Sequence, residues 1–215
     1  MDNALVVFSG GLDSTTALYW ALEKYSRVEC VSFHYGSHHN PMEYGCAERT
    51  ANKLGVKLHY IKFGLEEFKS SLLNGEVPEG NYNEENMKST VVPFRNGIML
   101  SFAAGLADSL EIGNVILGNH AGDHFIYPDC RPEFIESMAE AIRSGTVNHV
   151  NLVSPFCNIT KADIVALGTR MGVDYLDTYS CYKGGKIHCG KCGTCRERKE
   201  AFQLAGVPDP TVYES

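Results

Sequence analysis

No run of about 18 consecutive apolar residues occurs in this chain of 215 residues, so no membrane-spanning helix is indicated. The start of the sequence has neither a basic n-region nor a long apolar core, so no export signal is read and a cytoplasmic location is expected. Positive charge is scarce as well, with 19 Lys and Arg against 26 Asp and Glu and a net charge of −7. A general nucleic-acid binder leans on a basic surface, so no direct nucleic-acid partner is expected, and anion binding falls to local basic residues. Forty-four per cent hydrophobic and 21 per cent charged residues exclude a disordered or fibrous class. The length suits one large domain with a small appendage. Eight cysteines are present, and in a reducing compartment clustered cysteines point to metal more often than to disulfides.

Also missing is G-x-x-x-x-G-K-[ST], the common phosphate loop whose lysine reaches a terminal phosphate. In its place an apolar run over 4–8 ends at Ser9-Gly10-Gly11-Leu12-Asp13-Ser14-Thr15, and an amphipathic helix starts at once with Ala17, Leu18, Ala21, Leu22 and Tyr25. Two adjacent glycines let backbone N–H groups turn toward an anion, and Ser14 and Thr15 place hydroxyls at the positive end of the helix. The reading is a strand, a phosphate cradle and a helix, set where open α/β sheets bind ligands. A strand-to-helix turn without a ligand is the plainer alternative.

Further along, strands are predicted over 28–36, 56–63, 114–118 and 147–156, with helices over 42–54, 65–73, 98–110, 132–143, 161–171 and 196–204. Strands alternating with helices predict a doubly wound parallel α/β sheet. His34 and Tyr35 would end the second strand, either beside a nucleotide or simply finishing the strand. The polar stretch 74–90 reads as an exposed or mobile insertion. The helix over 98–110, apolar nearly all round, belongs in the interior, with Arg95 and Asn96 at the core's rim where an Arg can meet phosphate or carboxylate. Thr160 and Asp163 have capping-box spacing, which leaves Lys161 either at the sheet's edge facing pyrophosphate or as an ordinary exposed lysine.

The densest polar stretch runs from His120 through Asp123, His124, Tyr127, Asp129 and Arg131 to Glu133. Asp129 suits the cap of the helix at Pro132, and Glu133 suits its dipole. His120, Asp123 and Arg131 together exceed that structural role and read as a substrate-binding loop, with metal binding by His120, Asp123 and His124 as a weaker alternative. Near the end, Cys181-x7-Cys189-x2-Cys192-x2-Cys195 suits a closed tetrahedral thiolate site for zinc, structural because no coordination position stays open. An iron–sulfur cluster is the serious rival and disulfides the poorer one. Lys183, Lys186, Lys191 and Arg196 are expected to stabilise the thiolates.

The loop from Ser9 to Ser14 resembles the pyrophosphate loop of the ATP-pyrophosphatase (PP-loop) superfamily. Together with Val92-Pro93-Phe94-Arg95-Asn96, Tyr127-Pro128-Asp129-Cys130-Arg131-Pro132-Glu133-Phe134 and the terminal cysteine set, the chain resembles the 7-cyano-7-deazaguanine (preQ0) synthases of queuosine biosynthesis. The resemblance covers essentially the whole chain. It implies an adenine nucleotide alpha hydrolase-like domain over 1–175 and a zinc-binding segment with a terminal helix over 176–215. It also implies a C–N bond-forming ligase that converts 7-carboxy-7-deazaguanine and ammonia to the nitrile with ATP, through an acyl adenylate and an amide. Phe8, Ser9, Gly10, Gly11, Leu12, Asp13, Ser14 and Thr15 would hold ATP and Mg2+, with Asp13, Ser14, Arg95 and Lys161 catalytic. His120, Asp123, Tyr127, Asp129 and Arg131 would position the substrate. The length leaves no room for a glutaminase domain, so free ammonia is the expected donor, and a homodimer is the assembly the resemblance suggests. Two alternatives stay open: a tRNA-modifying PP-loop enzyme, and a homologue that attaches a deazaguanine to a protein.

Overall fold

The computed structural model describes residues 2–215. The strands are short and built mainly from branched and aliphatic residues. β1 (Asn3–Val7), β2 (Arg27–His34), β3 (Lys57–Lys62), β4 (Asn114–Ile116) and β5 (Asn151–Val153) pair in the order β3-β2-β1-β4-β5, all parallel. The centre of β1 is buried on both faces, as parallel sheets require. Successive side chains then serve opposite layers. Ala4 and Val6 pack toward α1 (Leu12–Lys24) and α2 (Asn40–Leu54), together with Ile164 and Val165 of α7 (Lys161–Arg170) and Ala201 and Phe202 of α8 (Gly193–Ala205). Leu5 packs toward Leu100 and Ala103 of α5 (Arg95–Ser109) and Ile135 and Ile142 of α6 (Pro132–Gly145). The doubly wound parallel sheet expected from the pattern is what forms.

Three expectations change. Over 65–73 no helix forms beyond a single turn, α3 (Ser71–Asn74), because the Ser70 hydroxyl caps at Leu72 and restarts the chain there. The strand over 147–156 shrinks to β5, since the Asp108 carboxylate accepts hydrogen bonds from the amides of Val147 (3.1 Å) and Asn148 (2.8 Å) and holds that approach as a turn. Finally, α5 is not buried all round. It lies on the sheet by one face, leaving Phe102 43% exposed and stacked on Phe63 at 5.1 Å.

The stretch 74–90 is not a free loop either. It contains α4 (Glu84–Met87), buries Met87 and Thr90, and bonds Gly80 N–H to the Lys191 carbonyl at 3.0 Å. Arg198 of α8 is 1% exposed. Its guanidinium donates to Thr178 Oγ1 (2.8 Å), Ser180 Oγ (3.1 Å) and the Tyr175 carbonyl (2.9 Å) and pairs with Asp209 (3.2 Å), so a charge in the core is fully used.

Candidate active site

The carboxyl ends of β1, β2 and β4 open into one pocket at the point where strand order reverses, the usual ligand crevice of such sheets. After β1 the chain turns at Gly10 with φ +88°, and a Cβ there would lie 2.3 Å from the Glu43 carbonyl, so this glycine lets the loop seat against α2. Gly11 is the N-cap of α1 and has no side-chain cap, leaving first-turn amides free for an anion. Phe8, Ser9, Gly11, Leu12, Asp13 and Ser14 line the pocket. Thr15 does not: its hydroxyl donates back to the Gly11 carbonyl at 2.7 Å and the residue is buried. Gly10 likewise serves packing rather than the pocket wall, and its carbonyl accepts from the Tyr179 amide at 3.0 Å.

Lys161 is not the exposed lysine of the plainer reading. The Thr160–Asp163 capping box forms as expected, and the ammonium then reaches Asp13 Oδ2 at 3.3 Å and Glu197 Oε2 at 2.5 Å. Burial acts to lower the ammonium's pKa, but Asp13, Glu197 and Asp123 outweigh it and hold the group above its ordinary value. Asp13 Oδ1, in contrast, is buried with no hydrogen-bond partner. An orphaned carboxylate oxygen beside uncapped first-turn amides fits a site for a hard divalent cation such as Mg2+.

The polar stretch after β4 divides. Asp123 and Tyr127 line the pocket. Burial acts to raise the Asp123 carboxyl, but His120, Lys161 and the Tyr82 hydroxyl, which donates to it at 2.8 Å, hold it below its ordinary value. His120 is 1% exposed and stands behind the wall, with Nε2 3.4 Å from Asp123 Oδ1 and 3.5 Å from Glu197 Oε1. Asp129 caps a different helix from the one expected. Its Oδ2 accepts from the Asn96 amide at 2.7 Å in the first turn of α5, while Arg131 takes the N-cap position of α6 without a side-chain cap. Arg131 faces away from the pocket and donates from Nε to the His124 carbonyl at 3.0 Å. The metal alternative at His120, Asp123 and His124 does not form, because His124 turns to Cys157 Sγ (3.7 Å).

Arg95 lines the far wall. Its Nη1 donates to the Tyr35 hydroxyl at 3.0 Å, and among the described residues no carboxylate lies within 4.0 Å of it. Tyr35 therefore belongs to the pocket, whereas His34 does not line it.

Several pocket groups gave no sequence signal. Glu43 looked like an ordinary first-turn acid of α2, yet it sits in the pocket with a side chain 17% exposed, and burial against the pull of Arg95 pushes its carboxyl up to about 8. His39, stacked on Tyr182 at 4.9 Å, is pushed down to about 3 by burial, so the two side chains, 3.7 Å apart, face each other uncharged at neutral pH. From the ordinary 4.5 up to about 8 the unfolded chain has released the Glu43 proton and the folded chain keeps it, so stability falls as pH rises through that window. Glu43→Gln is expected to remove that fall. In thermal melts its advantage over wild type grows from about pH 5 to about pH 8, toward a few kcal/mol.

The four cysteines gather as expected. Cys181, Cys189, Cys192 and Cys195 are buried with their sulfurs all within 4.8 Å of one another, and all eight cysteines are free, which removes the disulfide alternative. Amides of Lys191 (3.4 Å) and Cys192 (3.3 Å) donate to Cys189 Sγ, and that of Cys189 to Cys181 Sγ (3.4 Å). These amides touch the sulfurs directly, while Lys183 pairs with Glu79 at 2.5 Å and is held above its ordinary value by Glu79 with Cys189 and Cys192, and Arg196 donates to Asn81 at 3.1 Å. The donor set fits a single tetrahedral ion closed to further ligands.

Among solved structures, the chain is similar in fold to NMN synthetase from Francisella tularensis, with a TM-score of 0.53 over 96% of this chain and 78% of that one at 15% identity. In sequence it is 53% identical to the 7-cyano-7-deazaguanine synthase of Porphyromonas gingivalis, over 99% of this chain and 97% of that relative. It is 48% identical to the 7-cyano-7-deazaguanine synthase of Desulfotalea psychrophila, over 99% of each. The model of the family described as queuosine biosynthesis protein QueC matches residues 3–206, and with relatives this similar over nearly the full length, the chain belongs to that family.

Proposed function

We propose that this protein is a 7-cyano-7-deazaguanine synthase acting on 7-carboxy-7-deazaguanine, ATP and free ammonia. The observation that supports it best is the single pocket shared by the Ser9–Ser14 loop, Arg95, Asp123, Tyr127 and Lys161. A carboxylate on an electron-rich ring is a poor electrophile, so it first attacks the α-phosphate of ATP, forming an acyl adenylate and releasing pyrophosphate. Ammonia displaces AMP to give the amide. A second adenylation of the amide oxygen makes that oxygen a leaving group and yields the nitrile.

In this reading the first-turn amides of α1 with Ser9 and Ser14 hold the β- and γ-phosphates. Mg2+, when bound, neutralises phosphate charge, and Asp13 is the residue that would hold it through its free oxygen. Lys161 screens the departing pyrophosphate, and Arg95, which lines the pocket and donates to the Tyr35 hydroxyl, meets the reacting carboxylate and α-phosphate. Asp123, held ionised, accepts from ring N–H donors beside Tyr127, while His120 and Asp129 brace that wall from behind. Zinc at the four cysteines is favoured over a four-iron cluster by sulfurs within 4.8 Å, since a cluster would place each thiolate on a different iron. Work as a homodimer in the cytoplasm follows from the family resemblance and belongs to the same proposal.

The test is mass spectrometry of products from purified protein with 7-carboxy-7-deazaguanine, ATP, Mg2+ and ammonium, with Asp13→Ala as control. Nitrile and AMP from wild type alone are expected. Failure of folded, metal-loaded wild type to consume the acid would overturn the proposal.

A further inference from the structure

The nitrogen that enters must lose protons, and the pocket offers few groups to take them. Ammonia is largely ammonium near neutral pH, and its adduct with an acyl carbon carries a positive charge until a base relieves it. His120 stands behind the wall and His124 is turned toward Cys157. Lys161 is already protonated between carboxylates, and Asp123 is bonded to Tyr82 with its basicity reduced. His39 lines the pocket but its Nε2 lies 3.4 Å from both the Tyr35 and Ser37 hydroxyls, and its affinity for a proton is low.

Glu43 differs from all of these. It reaches the pocket beside Gly11, with Oε1 3.8 Å from where a Cβ on that glycine would sit, and its Oε2 lies 3.7 Å from His39 Nε2, beyond hydrogen-bond distance. Resting on the synthase reading above, we propose that Glu43, in its ionised form, binds the incoming ammonium and takes the proton from the nitrogen that attacks the acyl adenylate.

In the balanced step, Glu43, protonated at rest, first releases its proton to solvent; as the carboxylate it then accepts one proton from ammonium and becomes the acid. The lone pair this frees on nitrogen forms the C–N bond, the carbonyl opens and re-forms, and the C–O bond to AMP breaks. The proton left on the adduct nitrogen passes to Glu43 once it has released the first to solvent. The groups that face Glu43 suit this exchange. Arg95 from α5 favours the carboxylate, while His39 at the N-cap of α2, Tyr179 from the segment before the cysteines and the Cys46 thiol add no fixed positive charge. Burial sets the balance so that the carboxyl can both take and return a proton near neutral pH, the requirement for a general base.

Glu43→Gln keeps size and shape and removes the base. Three rates separate the roles: pyrophosphate–ATP exchange dependent on the carboxylic acid, amide formation with ammonium, and hydroxamate formation with hydroxylamine, which is already the free base at neutral pH. Exchange within about threefold of wild type, amide formation lowered by about 10²-fold or more, and hydroxamate formation largely retained are expected. Glu43→Asp, which shortens the reach but keeps the carboxyl, is expected to fall between the two. Ammonium-dependent amide formation by Glu43→Gln within a few-fold of wild type would overturn the assignment. So would an equal loss of exchange, which would place Glu43 in nucleotide binding instead. Absence of acid-dependent exchange in wild type would overturn the synthase reading itself, an outcome distinct from both.

Discussion

Cys192→Ser is expected to lower stability by about 5 kcal/mol or more, from a structural metal site that can contribute on the order of 10 kcal/mol. At roughly 2–4 °C per kcal/mol for a chain of this size, the melting temperature falls by about 10–20 °C. The magnitude follows from where the thiolate sits. Cys192 is fully buried and is the N-cap of α8, and its own amide and that of Lys191 hold Cys189 Sγ. Loosening it frees the helix that carries Ala201 and Phe202 into the core and Arg198 into its four-partner site. Metal content by plasma mass spectrometry and thermal melts before and after chelation check it. One equivalent of zinc in wild type, none in Cys192→Ser, and a chelated wild type that melts like the variant are the expected results. An unchanged melt after complete metal removal would show that packing alone holds the knot.

Lys161→Met is expected to have two separable effects. The ammonium lies between Asp13 and Glu197, with Asp123 also acting on it, so its removal leaves buried carboxylates facing one another. Breaking a buried pair from one side costs about 3–5 kcal/mol, because the remaining charge is uncompensated. Loss of the cation from the proposed phosphate site is expected to lower turnover by about 10²–10³-fold, the scale of removing one preorganised electrostatic contact. A second change tells the two apart. In Lys161→Met with Glu197→Gln, one carboxylate is neutralised along with the lysine, so much of the stability returns while the catalytic loss stays. Denaturant melts and steady-state rates on both variants read this. Recovery of activity together with stability would show that Lys161 acts through the fold alone.

What the sequence disclosed was whatever depends on near neighbours. The apolar run before Ser9, the glycines at 10 and 11, the capping box at Thr160 and the cysteine spacing each state their structure within a few residues. The misjudged parts depend on partners far along the chain. Asp129 has the right type and place to cap α6, yet Asn96 of α5 offers an amide in better position. The 74–90 stretch reads as solvent loop because its polar residues are visible and its partners are not: Tyr82 meets Asp123, and Thr90 Oγ1 lies 3.1 Å from the Tyr127 hydroxyl. Glu43 and Glu197 carried no signal, because an acid in the first turns of a helix is ordinary and only tertiary burial makes it unusual.

The order of the sheet carries a consequence for how the chain reaches this structure. β1 finds β2 close by in sequence, but its other neighbour, β4, lies more than a hundred residues on, with Leu5 paired to Val115. The layer over β1 waits longer still, since Ala201 and Phe202 of α8 belong to the same buried cluster as Ala4 and Val6. Non-local pairing of this kind slows folding, because the entropy of closing long loops is lost before the contacts that offset it form. A partly synthesised chain therefore presents the β1–α1–β2 crossover unit and a broad apolar face with no cover, the kind of surface that aggregates or engages chaperones. Slow maturation, ending only when the four-cysteine segment docks its helix, is the expectation that this strand order carries.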